Sequence, residues 1–141
     1  MTKLFTDTSA NLPLALLREY EIDVIPFSYT VNGVPADYPD EADFDGKAFY
    51  DAMRAGAEVN TSMVNPALAA EHFEQALAHG DDVLYIGMSG GVSGTAQAAA
   101  IAAGELRKKY PSAQIETIDT YAASLGEGLL VLEAAELLRA G

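Results

Sequence analysis

The chain has 141 residues, half of them hydrophobic, with 8 basic against 21 acidic side chains and a formal net charge of −13. That length and apolar content fit one domain with an ordinary buried core, while the acidic balance argues against nucleic acid and anionic membrane surfaces, whose phosphates are held by Lys and Arg. Cysteine is absent, which excludes a disulfide framework and a thiolate metal site and fits a reducing, cytoplasmic setting.

The opening Met1–Asp7 has no long apolar core of the signal-peptide kind. No uncharged apolar run approaches the roughly 20 residues of a membrane span, so stable membrane insertion is not expected. Lys3–Thr6 predicts a short strand, and Asp7-Thr8-Ser9-Ala10-Asn11 a polar turn. Asn11 is placed to cap a helix from Leu12 to Tyr20, with Pro13 in its first turn, where a missing N–H costs little. Asp23–Val31 predicts strand, interrupted or bent at Pro26. Asn32-Gly33 is a two-residue hairpin signal, and Val34-Pro35 begins the returning strand.

The stretch from Asp37 to Asp45, with Asp37, Asp40, Glu41, Asp43 and Asp45, predicts an acidic surface loop that lacks the regular spacing of a calcium loop. Phe44, Phe49, Tyr50 and Met53 then mark an amphipathic helix ending near Gly56. Residues 60–66 predict a second hydroxyl-rich loop, closed by an Asn65-Pro66 helix cap. That helix runs to His79 and stops at Gly80.

The run Val83-Leu84-Tyr85-Ile86-Gly87-Met88-Ser89-Gly90-Gly91-Val92-Ser93-Gly94-Thr95 carries the most information. A buried strand empties into a loop of glycines and hydroxyls, and an Ala-rich helix from Ala96 to Tyr110 follows. Such a corner can hold an anion on hydroxyls, backbone amides and the positive end of a helix dipole. It contains no Lys, Arg, Cys or His, so it is equipped for binding more than for chemistry. Gln114–Ile118 predicts a further strand, with Asp119-Thr120-Tyr121 at its end, and Ala122–Ala140 a last helix.

Strands alternating with helices predict an α/β fold over residues 1–141. Its sheet is mostly parallel, with about four strands and helices on both faces. The polar loops at 7–9, 61–65 and 89–95, joined by Asp119-Thr120, then gather at the carboxyl edge of the sheet, the usual place for a ligand.

Gly87-Met88-Ser89-Gly90-Gly91 has the form of the hydrolase nucleophile elbow. That chemistry needs a downstream His, and both histidines, His72 and His79, lie upstream. They stand seven residues apart on one helix, with too few further ligands for a metal. No Gly-x-x-x-x-Gly-Lys-Ser/Thr or Gly-x-Gly-x-x-Gly run points to a nucleotide. Ser93 can cap its helix, or share its hydroxyl with a ligand oxygen, and Thr61-Ser62 divides between a local turn and ligand contact in the same way. Tyr85, Phe27, Tyr29 and Phe73 are core or pocket lining.

Four motifs in order resemble the N-terminal half of the DegV family, the fatty-acid-binding subunits of bacterial fatty acid kinases. They are Thr6-Asp7-Thr8-Ser9-Ala10-Asn11-Leu12-Pro13, Thr61-Ser62, Ser93-Gly94-Thr95-Ala96-Gln97, and Ile118-Asp119-Thr120 through Ser124-Leu125-Gly126-Glu127-Gly128. The resemblance implies a long-chain fatty acid as the ligand, no cofactor, and no catalysis by this chain. Thr61 and Ser93 would bind the carboxylate, supported by Ser62, Gly94 and Thr95. A separate kinase subunit would phosphorylate the presented carboxylate. Met63-Val64-Asn65 stands where the family has Gln-Pro-Ser. The family's second domain, which covers the acyl tail, is expected to be missing here, so a second chain or domain would complete the cleft. Two other readings are a small hydrolase or phosphate-ester enzyme using Ser89 or Ser93, and a lone structural domain that dimerises and binds no lipid.

Overall fold

Leu4 and Phe5 are neighbours on one strand, project to opposite sides and are both buried. That is the mark of a sheet covered on two faces, whose strands are apolar runs with no polar alternation. In the computed structural model, which describes residues 1–37 and 44–141, such runs form β1 (Thr2–Asp7), β2 (Asp23–Ile25), β6 (Asp82–Gly87) and β7 (Ile115–Asp119). They make a parallel four-stranded sheet in the order β2-β1-β6-β7.

One face carries α3 (Pro66–Ala78) and α4 (Thr95–Lys109), with Phe5, Ile25, Phe73, Tyr85 and Ile115 in the intervening core. Ala98, Ala99, Ala102 and Ala103 are all buried along α4, so the helix backbone can approach its neighbours closely. The opposite face carries α1 (Leu14–Glu19) and α5 (Leu125–Ala140), packed through Leu4, Leu12, Leu17, Ile86 and Val131.

A second, antiparallel sheet orders β4 (Val34–Asp37), β3 (Ser28–Val31) and β5 (Val59–Ser62). Asn32 and Gly33 both have positive φ, 50° and 78°, the two-residue turn that matches strand twist. The amphipathic helix α2 (Gly46–Arg54) is capped by the Asp45 carboxylate, which accepts from the Ala48 N–H at 2.9 Å. Of the predicted acidic loop, Asp40, Glu41 and Asp43 lie outside the described residues.

The stretch Asp23–Val31 is interrupted at Pro26 into two strands in two sheets, because Pro26 has no N–H to continue a ladder and the next N–H, that of Phe27, donates to Thr8 Oγ1 at 2.9 Å. Three local expectations are corrected. Residues 59–62 form a strand and not a loop, pairing with β3; three of its four residues are exposed, so no apolar alternation announced it. Asn11 does not cap α1. It adopts the left-handed conformation after a 3-10 turn, Thr8–Ala10, and its side chain donates to Ser124 Oγ at 2.9 Å. The last helix begins at Leu125 and not at Ala122, since Tyr121 and Ser124 both have positive φ. The Asn65 cap on α3 is as expected, accepting from the Leu68 N–H at 2.9 Å.

Gly128 brings α5 against the 3-10 turn. A Cβ there would lie 2.7 Å from the Ala10 carbonyl oxygen. Gly128→Ala therefore tests this contact with a built-in control of sign. Helix propensity alone would stabilise by about 1 kcal/mol, whereas the clash is expected to destabilise by about 1–3 kcal/mol. A lower urea midpoint at unchanged m value is the expected result.

Candidate functional site

The carboxyl edge of the parallel sheet is organised around Asp7, the last residue of β1. Its side chain is buried, and a buried carboxylate is tolerable only when hydrogen-bonded. Oδ1 accepts from the Ser9 N–H at 2.9 Å. Oδ2 accepts from the Tyr85 hydroxyl at 2.7 Å and from the Met88 N–H at 3.1 Å. One group thus ties β1 to the strand β6 and to the first residue of the loop that follows it. Burial, and then the adjacent Asp7 carboxylate, push the Tyr85 phenol upward, so it remains a donor.

Glu127, in the first turn of α5, reaches the same place and is fully buried. Thr6 Oγ1 donates to its Oε1 at 3.3 Å, and Ser9 Oγ donates to its Oε2. Burial, then the charge of Asp7, push the Glu127 carboxyl up to about 8, against the lowering effect of the two hydroxyls. The protonated form of Glu127 is therefore favoured in the buried place it shares with Asp7. Sequence reasoning did not single out this pair as a unit. A signal was present: Glu127, Val131 and Ala135 fall at i, i+4 and i+8, and all three are buried in α5, so the acid sits on the apolar stripe.

The Gly-rich loop spends part of its amide groups on itself. The Gly90 N–H donates to Asp119 Oδ2 at 3.0 Å, and the Gly91 N–H to Ser89 Oγ at 3.2 Å. Thr120 Oγ1 donates to the Gly87 carbonyl at 2.8 Å, and the Ser89 N–H to the Ala122 carbonyl at 2.8 Å. Asp119-Thr120 thus joins the edge as a brace for the 87–94 loop. Ser89 is nearly buried and its Oγ is engaged by its own turn. His79 Nδ1 is bonded to the Gln75 carbonyl at 2.6 Å, and His72 lines a groove beside β2 with Leu14, Arg18 and Gln75. Neither histidine is bonded to Ser89. Among the described residues no group of three or more His, Cys, Asp or Glu could hold a metal ion.

Ser93 stands just before α4. Its Oγ accepts from the Thr95 N–H at 3.2 Å and lies 2.9 Å from Thr95 Oγ1; Thr95 is buried and Ser93 only half so. Thr61 and Ser62 are exposed on β5. The two segments meet through Met63 and Gly94: a Cβ on Gly94 would lie 2.7 Å from Met63 Sδ, so the thioether rests on the glycine. Thr61 pairs directly with Tyr29, which places the two side chains on one face, and the Tyr29 ring packs edge-on against Phe49 at 5.4 Å. The arrangement is an open edge with hydroxyls from β5 and from the start of α4, flanked by aromatic and thioether surface. A groove of about 440 Å³ opens beside it, lined by Gly91, Ser93, Gln97, Thr117 and Tyr121 among others.

A parallel sheet with helices on both faces and hydroxyl loops at its carboxyl edge defines an α/β domain of the class whose ligands usually lie at that edge. The model of a family described as "Uncharacterised protein, DegV family" matches residues 1–141, and the chain belongs to the DegV family. A DegV domain-containing protein of Clostridium perfringens is 37% identical over 140 residues, covering 98% of this chain and 47% of that protein. One from Deinococcus radiodurans is 34% identical over 139 residues, covering 98% of this chain and 47% of its own. Among solved structures, a fatty-acid-binding DegV family protein from Thermus thermophilus superposes with a TM-score of 0.84 at 35% identity, over 99% of this chain and 48% of that one. DegV of Bacillus subtilis, a fatty acid binding protein, does so at 0.82 and 26% identity, with 99% and 48% covered. The chain therefore spans about half the length of its relatives.

The Asp7–Glu127 pair has a thermodynamic signature. Glu127 rises from 4.5 to about 8 on folding, so its folded form holds the proton more tightly. The associated stability is fully present below about pH 4.5 and is lost as pH rises through about 8. Melting temperature is expected to fall between pH 5 and pH 9 in the native chain. In Glu127→Gln that slope should be largely gone, which thermal denaturation across the pH range checks.

Proposed function

We propose that this chain binds a long-chain fatty acid, with the carboxylate held between Thr61 and Ser93 and supported by Ser62, Gly94 and Thr95. The observation that carries the reading is the meeting of β5 with the start of α4, where Met63 rests on Gly94. Thr95 can donate both its N–H and its hydroxyl to Ser93 Oγ. In that arrangement the Ser93 O–H is turned free to donate to a ligand oxygen, at a helix N-terminus that favours negative charge. Membership of a family with fatty-acid-binding relatives supports the same ligand. Most of the affinity would come from the tail, at about 0.8 kcal/mol per buried CH₂.

The site offers hydroxyls and amides but no base or nucleophile pair, so this chain would be a carrier. A separate ATP-dependent kinase subunit, in the cytoplasm, would phosphorylate the presented carboxylate: a carboxylate oxygen forms a bond to the γ-phosphorus and ADP leaves. The open edge would be completed by a second domain or chain. Among the described residues no helix is long and apolar enough to cross a membrane.

One observation favours association as a second reading. Leu125, Leu129 and Leu137 on α5 are exposed at 66%, 69% and 64%, and uncovered apolar surface of this kind marks contact sites. Native mass spectrometry with lipid extraction separates the two. A retained fatty acid that is lost in Ser93→Ala and Thr61→Ala is the expected result. Each lost hydrogen bond to the carboxylate should weaken binding by roughly tenfold or more, from about 1.5–3 kcal/mol per charge-assisted bond. A lipid-free dimer that takes up no added fatty acid would overturn the proposal in favour of the structural reading.

A further inference from the structure

We propose that Met63 determines which acids this site accepts: its thioether is the apolar wall beside the hydroxyl pair, and it selects for an unsubstituted CH₂ next to the carboxylate. The inference rests on the binding reading above and adds the ligand's chemistry at its second carbon. Met63 is half-exposed, at 50%, although it is a large apolar side chain. It follows directly on β5 and lies two residues after Thr61, whose partner across the sheet, Tyr29, packs against Phe49. The Met63 Sδ and Cε would lie 2.7 and 2.9 Å from a Cβ on Gly94, so the thioether lies against the bare glycine backbone, immediately beside Ser93.

A thioether donates no hydrogen bond and accepts only weakly. Its unbranched, polarizable chain suits irregular apolar surface. An acid bound by Ser93 and Thr61 places its second carbon against this group. A CH₂ is matched there, whereas a 2-hydroxyl would lose water and gain no partner, a cost that corresponds to roughly tenfold in affinity. The Gln amide at the same position would supply both a donor and an acceptor.

The test is an NMR titration of the 141-residue protein carrying ¹³C-methyl methionine, with dodecanoic acid and 2-hydroxydodecanoic acid as the two probes. The Met63 signal is assigned by its loss in Met63→Leu. The native chain is expected to bind the unsubstituted acid about tenfold more tightly and to shift the Met63 methyl. Met63→Leu should keep that preference, and Met63→Gln should reduce it to about twofold or less. An unchanged preference in Met63→Gln, with both acids lost in Ser93→Ala, overturns the Met63 assignment and leaves the carboxylate site standing. Binding of both acids unaffected by Ser93→Ala, or no shift with either acid, overturns the carboxylate site and the Met63 assignment with it.

Discussion

The Asp7 carboxylate is the constraint on which the rest of the carboxyl edge depends. It ends the central strand β1 in a buried place, and a charge there is costly unless every oxygen is used. The Ser9 N–H, the Tyr85 hydroxyl and the Met88 N–H use them. Because these donors come from three chain segments, satisfying one side chain fixes the 3-10 turn, strand β6 and the start of the 88–94 loop relative to one another. Glu127 adds a fourth segment, α5. Burial, and then the neighbouring Asp7, favour its protonated form there.

From that hub the ligand edge acquires its character. Asp119 takes the Gly90 N–H and Ser89 takes that of Gly91, so the glycine loop is braced from within and offers less of an amide cradle than its composition suggests. What is left facing outward is hydroxyl: Ser93 at the start of α4, and Thr61 and Ser62 on β5. Hydroxyls turn to suit a carboxylate oxygen without imposing a fixed charge, and the 87–95 loop itself contains no Lys or Arg. The surface beside them is aromatic and thioether, from Tyr29, Phe49 and Met63. Hydroxyl and apolar surface thus meet at the junction of two sheets, one parallel, the other a small antiparallel layer joined to it at Pro26.

How much of this was legible in the residues differs by element. The parallel sheet and both helical layers follow from apolar runs alternating with helical periods, and the Asn32-Gly33 turn and Asn65-Pro66 cap are local chemistry that any context would honour. Strand β5 was not legible. Its residues are largely exposed, and its hydrogen bonds come from β3, some thirty residues away, so no short-range pattern encodes it. The late start of α5 was hidden for a related reason: Thr120, Ala122 and Ser124 are held by bonds to Gly87, Ser89 and Asn11, which override a helix-compatible sequence.

By itself the sequence determined the α/β class, the order of the four parallel strands' segments, and which loops carry hydroxyls, because periodicity and turn chemistry act within a few residues. The tertiary structure alone decided which of those loops touch. It placed Met63 on Gly94, aimed the Gly90 amide at Asp119, and brought Glu127 from the far end of the chain to within reach of Thr6 and Ser9. These are contacts across as many as 121 residues of separation. They arise from packing two faces of one sheet and from the need to satisfy a buried charge, neither of which any local stretch of sequence contains.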